Sequence, residues 1–260
     1  TDQSQQVSQL VDCFRREFNN APMVQLHALQ QDKPLSITGL WGETSVAHYA
    51  EAFVRFRLHE YFPDVPRVLW LDADTVVQAD VALLYRITMQ HSLAAVPSVK
   101  IYSWEYYWDH MDPPLRKYIR NLSAPTFNSG VLLLDLDKWR SGEFTQHLEA
   151  WEGLFAATEI AGEFADQTMF NLEFQGRFDV LPWAWNVPCG TPVRLPRHCL
   201  DEGRIFHWNG PNKPKKKGRN PLFKRHDDLF EPYVPARPCP ALTAARANVS
   251  SDTGPSTRKP

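Results

Sequence analysis

The 260-residue sequence has few cysteines, no long apolar segment and no strong excess of charge of either sign. Its 4 cysteines are too few and too scattered for a disulfide-stabilised small fold or for a zinc site built from paired cysteines. No apolar run reaches the roughly 20 residues of a membrane-spanning helix, and the first residues lack a signal-peptide pattern. The composition, 43% hydrophobic and 22% charged, is typical of a globular domain. We therefore expect either a soluble protein or a fragment separated from an upstream membrane anchor.

Charge is distributed unevenly along the chain. Residues 1–212 carry 17 Lys and Arg against 26 Asp and Glu, whereas residues 213–260 carry 11 against 4. A basic segment after an acidic body favours contact with an anionic ligand, although such segments are also common as solvated faces. Because the segment 213–225 contains a single aromatic residue, Phe223, we expect no nucleic-acid partner.

Two features point to an oxidising, glycosylating compartment. Cys189 and Cys199 lie ten residues apart in a proline-rich segment and could pair there. Two sequons for N-glycosylation, Asn121-Leu122-Ser123 and Asn248-Val249-Ser250, fit the same environment. These features favour the Golgi or another secretory lumen, with the cytoplasm as the alternative.

Hydrophobic periodicity predicts alternating strands and helices. The predicted strands are 67–71, 92–97, 130–136, 178–181 and 204–208, and the predicted helices are 4–18, 44–62, 136–155 and 166–174. This alternation indicates an α/β fold with a Rossmann-like, mostly parallel sheet flanked by helices. From residue 231 the sequence lacks periodicity and is rich in Pro, Ser and Arg, so we expect one domain over 1–230 and a disordered tail over 231–260.

A pair of carboxylates follows the first predicted strand. Asp72 and Asp74 are two residues apart at its carboxyl end, the edge at which α/β sheets bind ligands. In an extended chain both side chains would face the same side and could share one Mg²⁺ or Mn²⁺ ion. The alternative is a pair of acidic residues that only begin a turn.

A second polar cluster ends the last predicted strand. His207 could complete the metal site through a neutral imidazole nitrogen. Gly210 would allow the backbone to approach a phosphate closely, and Lys213 would supply a positive charge for it. The alternative is a partly buried histidine followed by a basic loop.

Two further segments carry polar side chains beside predicted elements. Asn128 and Ser129 precede a buried strand, where they could bind sugar hydroxyls or cap the strand. Asp166 fits the N-cap of a helix, but that role leaves Gln167 unexplained.

Five segments in this order resemble glycosyltransferase family 8, the retaining family of glycogenin and of bacterial lipopolysaccharide galactosyltransferases. The resemblance extends over about residues 45–215. It includes FVRFRL (53–58), RVLWLDAD (67–74), FNSGVLLLDLDKW (127–139), ADQTMFN (165–171) and HWNGPNKP (207–214).

The resemblance implies a GT-A fold and transfer of a sugar from a nucleotide-sugar donor, usually a UDP-sugar, to a glycan or glycoprotein acceptor, with Mn²⁺ or Mg²⁺ as cofactor. It implies roles for ten residues: Asp72, Asp74 and His207 as metal ligands; Gly210 and Lys213 at the diphosphate; Arg55, Asn128 and Ser129 at the donor; and Asp166 and Gln167 as the catalytic polar groups. Since no pair of carboxylates is placed as in a hydrolase, we favour same-face transfer guided by the leaving phosphate, with Gln167 as a positioning or stabilising group.

The sequence departs from the family pattern in three places. The family often has an Asp after the strand 92–97, where this chain has Val96-Pro97-Ser98-Val99. The chain lacks a clear opening strand and the loop that holds the uracil, so we expect an N-terminally incomplete domain whose donor site extends upstream. The usual Lys-Pro-Trp is Lys213-Pro214-Lys215. These departures leave one alternative function, a catalytically inactive relative that only binds a nucleotide-sugar or a glycan.

Overall fold

The computed structural model describes residues 8, 11–12, 53–98, 104–105, 116–158, 165–190, 194–209, 213–214 and 221–233. The chain divides into two compact units, Leu29–Asp227 on one hand and Thr1–Ala28 with Asp228–Pro260 on the other. In the second unit the described residues include a 3-10 turn, Glu231–Tyr233. The remainder of the predicted tail, the predicted helix 4–18 beyond residues 8 and 11–12, and Gly210 lie outside the described residues. The domain boundary at residue 230 stays a prediction.

The larger unit contains strands and short helices in alternation. The strands are β1 (Arg67–Leu71), β2 (Thr75–Val77), β3 (Leu93–Pro97), β4 (Phe127–Asp135), β5 (Asp179–Val180), β6 (Val187–Pro188) and β7 (Ile205–His207). The helices are α1 (Leu58–Tyr61), α2 (Ala82–Tyr85), α3 (Leu136–Ser141), α4 (Phe144–Thr158), α5 (Ala165–Phe174) and α6 (Arg197–Glu202), with 3-10 turns at Val54–Arg57, Trp183–Trp185 and Pro221–Lys224. A further 3-10 turn, Asp227–Leu229, begins at the last residue of this unit.

The main sheet has the strand order β1-β4-β3-β5. In it β4 pairs antiparallel with both β1 and β3, and β3 pairs parallel with β5. The predicted α/β class is therefore confirmed, but the expectation of a mostly parallel sheet is wrong for the described strands. A continuous apolar run such as the one in β4 shows that a strand is buried on both faces, and it carries no information about direction, which depends on the connections.

A second, smaller sheet has the order β2-β7-β6. Thr75 lies opposite His207 in the antiparallel pair of β2 and β7, and Pro188 lies beside His207 in the parallel pair of β6 and β7. The residues that connect β1 to β2 are Asp72, Ala73 and Asp74. The turn that carries both carboxylates therefore joins the two sheets.

Two hydrophobic clusters cover the two faces of the main sheet. The larger one contains the fully buried rings of Trp139, Phe170 and Phe174, which pack side by side. The smaller one joins residues of the main sheet to Trp185, in the 3-10 turn Trp183–Trp185, and to Ile205 of the second sheet. Trp104, in the aromatic segment 101–121, is completely buried in the larger cluster.

The predicted helix 136–155 is two helices, α3 and α4. Gly142 follows α3, and Glu143 adopts the left-handed conformation with φ 54, which is incompatible with a continuous helix. Within the described ranges, no helix combines the length and the apolar character that crossing a membrane requires.

Candidate metal and donor site

The site lies where the turn between β1 and β2 meets the beginning of β4 and the end of β7. The backbone N–H of Asp72 donates to the carbonyl of Gly130 (2.8 Å), and that of Trp208 donates to the carbonyl of Asp74 (3.0 Å). The N–H of Thr75 returns to the carbonyl of Asp72 (3.2 Å) and closes the turn. Residues 72–75 are thus not extended, and the alternation argument for Asp72 and Asp74 does not hold. The turn and the pairing of β2 with β7 bring the two carboxylates together instead.

The two oxygens of Asp72 have different surroundings. Oδ1 accepts hydrogen bonds from Nε1 of Trp70 (2.8 Å) and from Nη2 of Arg55 (3.2 Å). Oδ2 faces Nε2 of His207 at 3.8 Å. The donors on Oδ1 orient the carboxylate and leave Oδ2 directed at the imidazole.

Arg55 is a buried cation at the centre of the site, with 5% of its surface exposed. Its guanidinium donates to the carbonyl of Ser129 (2.7 Å), forms ion pairs with Asp72 and Asp166, and lies 4.5 Å from the centre of the Trp70 ring. It thereby connects β1, β4 and α5. This buried positive charge fixes the positions of its partners and offsets the negative charge of the nearby carboxylates.

Asp74 lies between two cationic or ionisable groups. Its Oδ1 is 3.3 Å from Nε2 of His207, and its Oδ2 accepts from Nζ of Lys213, which also donates to the carbonyl of Trp208 (3.0 Å). Burial alone would raise the pKa of Asp74, but hydrogen bonds and positive charge from His207 and Lys213 outweigh it and lower the pKa to about 2. Asp74 is therefore an anion at every pH at which the protein would act.

The imidazole of His207 is buried and held on three sides. Its Nδ1 is 3.0 Å from Oδ1 of Asn186, an acceptor, so Nδ1 carries the hydrogen and Nε2 faces the two carboxylates. The backbone of Gly130 lies against the ring, because a Cβ at residue 130 would be 2.7 Å from Nδ1 and 2.8 Å from Nε2. The residue type at position 130 therefore determines whether His207 can occupy this place.

A chain of side-chain amides leads from His207 to α5. Nδ2 of Asn186 donates to Oδ1 of Asn128 (3.0 Å), and Nδ2 of Asn128 donates to Oε1 of Gln167 (3.0 Å). The same Gln167 oxygen accepts from the backbone N–H of Ser129 (3.0 Å). Asn128 and Gln167 thus fix the beginning of β4 against α5, and Ser129 takes part through its backbone.

Asp166 is buried near the start of α5. Burial raises its pKa to about 6, since the charge of Arg55 offsets only part of the burial and the charge of Asp72 acts in the same direction as burial. Its Oδ2 lies 3.3 Å from Nη1 of Arg55. Because the helix begins at Ala165, Asp166 lies within its first turn and not at the expected N-cap, and its carboxylate pairs with a buried arginine that also holds Asp72.

The structure brings together nine of the ten predicted site residues, and Gly210 lies outside the described residues. Three further residues of the site were not predicted: Trp70, Gly130 and Asn186. A glycine inside a buried strand signals a close approach by another group and could have identified Gly130. No local pattern distinguishes Asn186 from other polar residues of a loop. Cys189 and Cys199, which we expected could pair, are not joined by a disulfide bond.

The three predicted metal ligands converge. One ligand atom from each of Asp72, Asp74 and His207 lies within 4.8 Å of the others. Ligands that bind one hard divalent ion at about 2.0–2.6 Å lie at most about 5 Å from one another. Two carboxylates and a neutral imidazole suit Mn²⁺ or Mg²⁺, and a cationic group, the ammonium of Lys213, already lies against Asp74.

A comparison with known protein families agrees with this geometry. The sequence model described as Glycosyl transferase family 8 matches residues 42–217. The chain belongs to glycosyltransferase family 8.

Two relatives are each similar to this chain over 70% of its length. The chain is 29% identical over 191 residues to a protein of Arabidopsis thaliana described as "Probable galacturonosyltransferase-like 4", covering 70% of this chain and 54% of that protein. It is 28% identical over 206 residues to the human glycosyltransferase 8 domain-containing protein 2, covering 70% and 57%. The chain thus spans about half the length of the relatives it matches.

Solved structures establish the fold. The chain resembles the galactosyltransferase LgtC, solved with donor and acceptor sugar analogs, with a TM-score of 0.53 and 21% identity over 75% of this chain and 69% of that one. It also resembles the glycosyltransferase GlyE of Streptococcus pneumoniae, with a TM-score of 0.53 and 21% identity over 80% and 49% of the two chains. The family 8 chain therefore has the predicted GT-A fold.

Proposed function

We propose that this protein is a metal-dependent, retaining glycosyltransferase that transfers a sugar, a hexose, from a UDP-sugar to a hydroxyl of a glycan or protein acceptor. The observation that carries the proposal is the convergence of Asp72, Asp74 and His207 within 4.8 Å at the edge of the sheet. Membership of glycosyltransferase family 8 supports the same assignment.

Mn²⁺ or Mg²⁺ would be held by Oδ2 of Asp72, Oδ1 of Asp74 and Nε2 of His207. When bound, the ion would neutralise charge that develops on the leaving diphosphate. Lys213 adds a second positive charge at the same place, since its ammonium lies against Asp74. Gly210, three residues before it, is assigned to the backbone that approaches the diphosphate.

In the proposed step, the acceptor hydroxyl oxygen forms a bond to the anomeric carbon on the face from which the diphosphate leaves. The bond from the anomeric carbon to the phosphate oxygen breaks, its electron pair goes to the diphosphate, and the acceptor proton is transferred to that oxygen. Configuration is retained because the entering and leaving oxygens share one face. Asp166 and Gln167 would flank the sugar, and Asn128 and Ser129 would border it, since all four lie between α5 and the start of β4.

Arg55 would act on the donor chiefly by holding other residues. It is buried and its guanidinium contacts Asp72, Asp166 and Ser129. Replacing it would leave two acidic side chains without their common counter-charge. We therefore assign it to the organisation of the donor site.

The test is UDP release from a panel of UDP-sugars, with and without Mn²⁺, by the longest form of the gene product. Turnover with at least one donor that requires the metal, and that is lost in Asp74→Asn, is the expected result. Asp201→Asn, on exposed α6, is the matched control and should retain activity. If the protein binds UDP-sugars but turns over none of the panel, the proposal is overturned in favour of an inactive nucleotide-sugar-binding relative.

We also propose that the protein works in the Golgi or another secretory lumen. The supporting feature is the sequon at Asn121, which is exposed on a turn where its Oδ1 accepts from the N–H of Ser123 (2.9 Å). The second sequon, at Asn248, lies outside the described residues. Protein isolated from its own cells should lose the mass of at least one glycan when treated with a glycosidase, and Asn121→Gln should reduce that loss by the mass of one glycan. An unglycosylated Asn121 would favour the cytoplasm.

A further inference from the structure

We propose that Asn186 is a positioning residue that sets His207 for metal binding and, through Asn128, couples the metal ligand to Gln167. This inference rests on the proposed metal-dependent function and extends it to a residue without a previous role. Asn186 precedes β6, and the pairing of β6 with β7 places it beside His207.

Asn186 determines which imidazole nitrogen of His207 faces the proposed metal site. A histidine can bind a metal through either nitrogen, and the partner of the other nitrogen decides which one is available. Oδ1 of Asn186 accepts from Nδ1 at 3.0 Å, so Nδ1 keeps its hydrogen and Nε2, which is directed at Asp72 and Asp74, is the nitrogen whose lone pair a metal ion would take. Without an acceptor at Nδ1, the hydrogen could move to Nε2 and block the ligand atom.

Both polar atoms of the Asn186 side-chain amide have their partners within the site. Its Oδ1 faces His207, and its Nδ2 donates to Asn128 at 3.0 Å. The side chain is 6% exposed, so its polar atoms need partners inside the protein. A buried amide that only stabilised the fold would have no reason to take both partners from the catalytic region.

The hydrogen bonds that connect His207 to Gln167 all run in the same direction. His207 donates to Asn186, Asn186 donates to Asn128, and Asn128 donates to Gln167, whose oxygen also accepts from the N–H of Ser129. Donors aligned in one direction polarise each other and strengthen the whole chain. A displacement of His207 is therefore transmitted to Gln167, the side chain assigned to the donor sugar.

The experiment compares Asn186→Asp with Asn186→Leu by titration with Mn²⁺ alone, followed by isothermal calorimetry or by the signal of free Mn²⁺ in electron paramagnetic resonance. Asp retains an oxygen acceptor for Nδ1 and loses only the Nδ2 donor to Asn128, whereas Leu has a similar volume and offers neither group. We expect Asn186→Leu to weaken Mn²⁺ binding by about 10- to 100-fold, the range found for groups that orient metal ligands. Asn186→Asp should stay within about threefold of the unmodified chain.

A kinetic readout separates positioning from a general structural effect. With Asn186→Leu, the transfer rate at low Mn²⁺ should fall and should recover substantially when Mn²⁺ is raised to saturation, whereas global damage would lower the rate at every concentration. Thermal unfolding of each variant is measured in parallel. If Asn186→Leu does not fold, Asn186→Ala provides the same loss of the acceptor with less bulk, and the same affinity difference from Asn186→Asp is expected.

The outcomes distinguish this inference from the proposed function. Equal Mn²⁺ affinity in the unmodified chain, Asn186→Asp and Asn186→Leu would overturn the role of Asn186 and leave the metal-dependent function intact. Absence of Mn²⁺ binding by the unmodified chain would overturn the proposed metal dependence itself.

Discussion

The backbone of Gly130 lies directly against the imidazole of His207. A Cβ on residue 130 would be 2.7 Å from Nδ1 and 2.8 Å from Nε2 of that ring, closer than real Cβ contacts allow. Gly130 sits in β4 next to Asp72, whose N–H donates to its carbonyl at 2.8 Å. One glycine therefore allows a ligand from β7 to reach a ligand at the end of β1.

We expect Gly130→Ala to displace His207 and to impair metal binding. The added methyl group should destabilise the fold by about 1–3 kcal/mol, the usual effect of overpacking. Mn²⁺ affinity should fall by about 10- to 100-fold, as for other changes that shift a ligand. Thermal unfolding with and without Mn²⁺ measures both effects.

Gly153→Ala is the control for the same chemical change. Gly153 is exposed within α4, and a Cβ there would have no atom within 4 Å. This change should stabilise the protein by about 0.5–1 kcal/mol, because alanine loses less backbone entropy than glycine in a helix. Unchanged Mn²⁺ affinity in Gly130→Ala would show that the ring can move without loss of the site.

Lys213→Met should change metal binding and donor binding in opposite directions. In the chain without donor, the ammonium pairs with Asp74 and competes with a cation for it, so its removal should tighten Mn²⁺ binding severalfold. With UDP-sugar present, loss of this charge at the diphosphate should weaken binding or slow transfer by about ten- to thousandfold. Lys224→Met, in the exposed turn Pro221–Lys224, is the control. Equal and small effects of the two changes would remove the diphosphate role from Lys213.

Glu152 should make the protein less stable as the pH rises from about 4.5 to about 7. Burial raises the pKa of its carboxyl from 4.5 to about 7, with the charge of Arg57 opposing and that of Glu149 reinforcing the shift. Between these values the folded chain holds a proton that the unfolded chain has lost, so the free energy of unfolding decreases as the pH increases. Above pH 7 this decrease in the free energy of unfolding is complete and amounts to about 3 kcal/mol.

Glu152→Gln should abolish this dependence. Urea unfolding at pH 5 and pH 8 should show that the variant gains about 2–3 kcal/mol relative to the unmodified chain between the two pH values. Asp74 and Asp166 also make the free energy of unfolding depend on pH, but they are present in both chains, so their contributions cancel in the difference between the two chains. Glu202→Gln, at the exposed end of α6, should show no comparable difference. Parallel pH profiles for Glu152→Gln and the unmodified chain would contradict the raised pKa.

Asn171 should be essential for stability although it lies outside the proposed chemistry. Its side chain accepts from the N–H of Phe127 (2.8 Å) and donates to the carbonyls of Phe127 and Gln167 (2.9 Å each). Pro97 lies opposite Phe127 in the register of β3 and β4 and has no N–H to offer. Asn171→Ala should cost about 2–4 kcal/mol in urea unfolding, since buried backbone groups would lose their partners. Asn121→Ala, at an exposed turn, should cost less than about 1 kcal/mol, and a similar loss for both would refute this role.

Much of the fold could be predicted because several segments carry strong local patterns. The apolar run of β1 gives its bounds, Arg67–Leu71, without error, and α5 begins at Ala165, one residue from the predicted start. The strands β2 and β6 were not predicted, because they have three and two residues and depend on pairing with β7 rather than on a pattern of their own.

The site was predictable in its residue types and less so in its contacts. Asp72, Asp74, His207 and Lys213 were expected together, and the structure places them together. The contact between Arg55 and Asp166 and the contact between His207 and Asn186 were not expected. Residues far apart in the chain meet in each of these pairs, and no periodicity relates them.

By itself, the sequence determined which residues can bind a divalent cation or a phosphate, and where strands and helices are favoured, since these properties depend on side-chain chemistry and on near neighbours in the chain. The tertiary structure alone decided the direction of β4, the freedom of one oxygen of Asp72 for a ligand, and the orientation of His207 between Gly130 and Asn186. The physical reason is that the separation of Asp74 and His207 depends on the pairing of β2 with β7, which is stabilised by hydrogen bonds between strands distant in sequence and not by the local preferences of either strand.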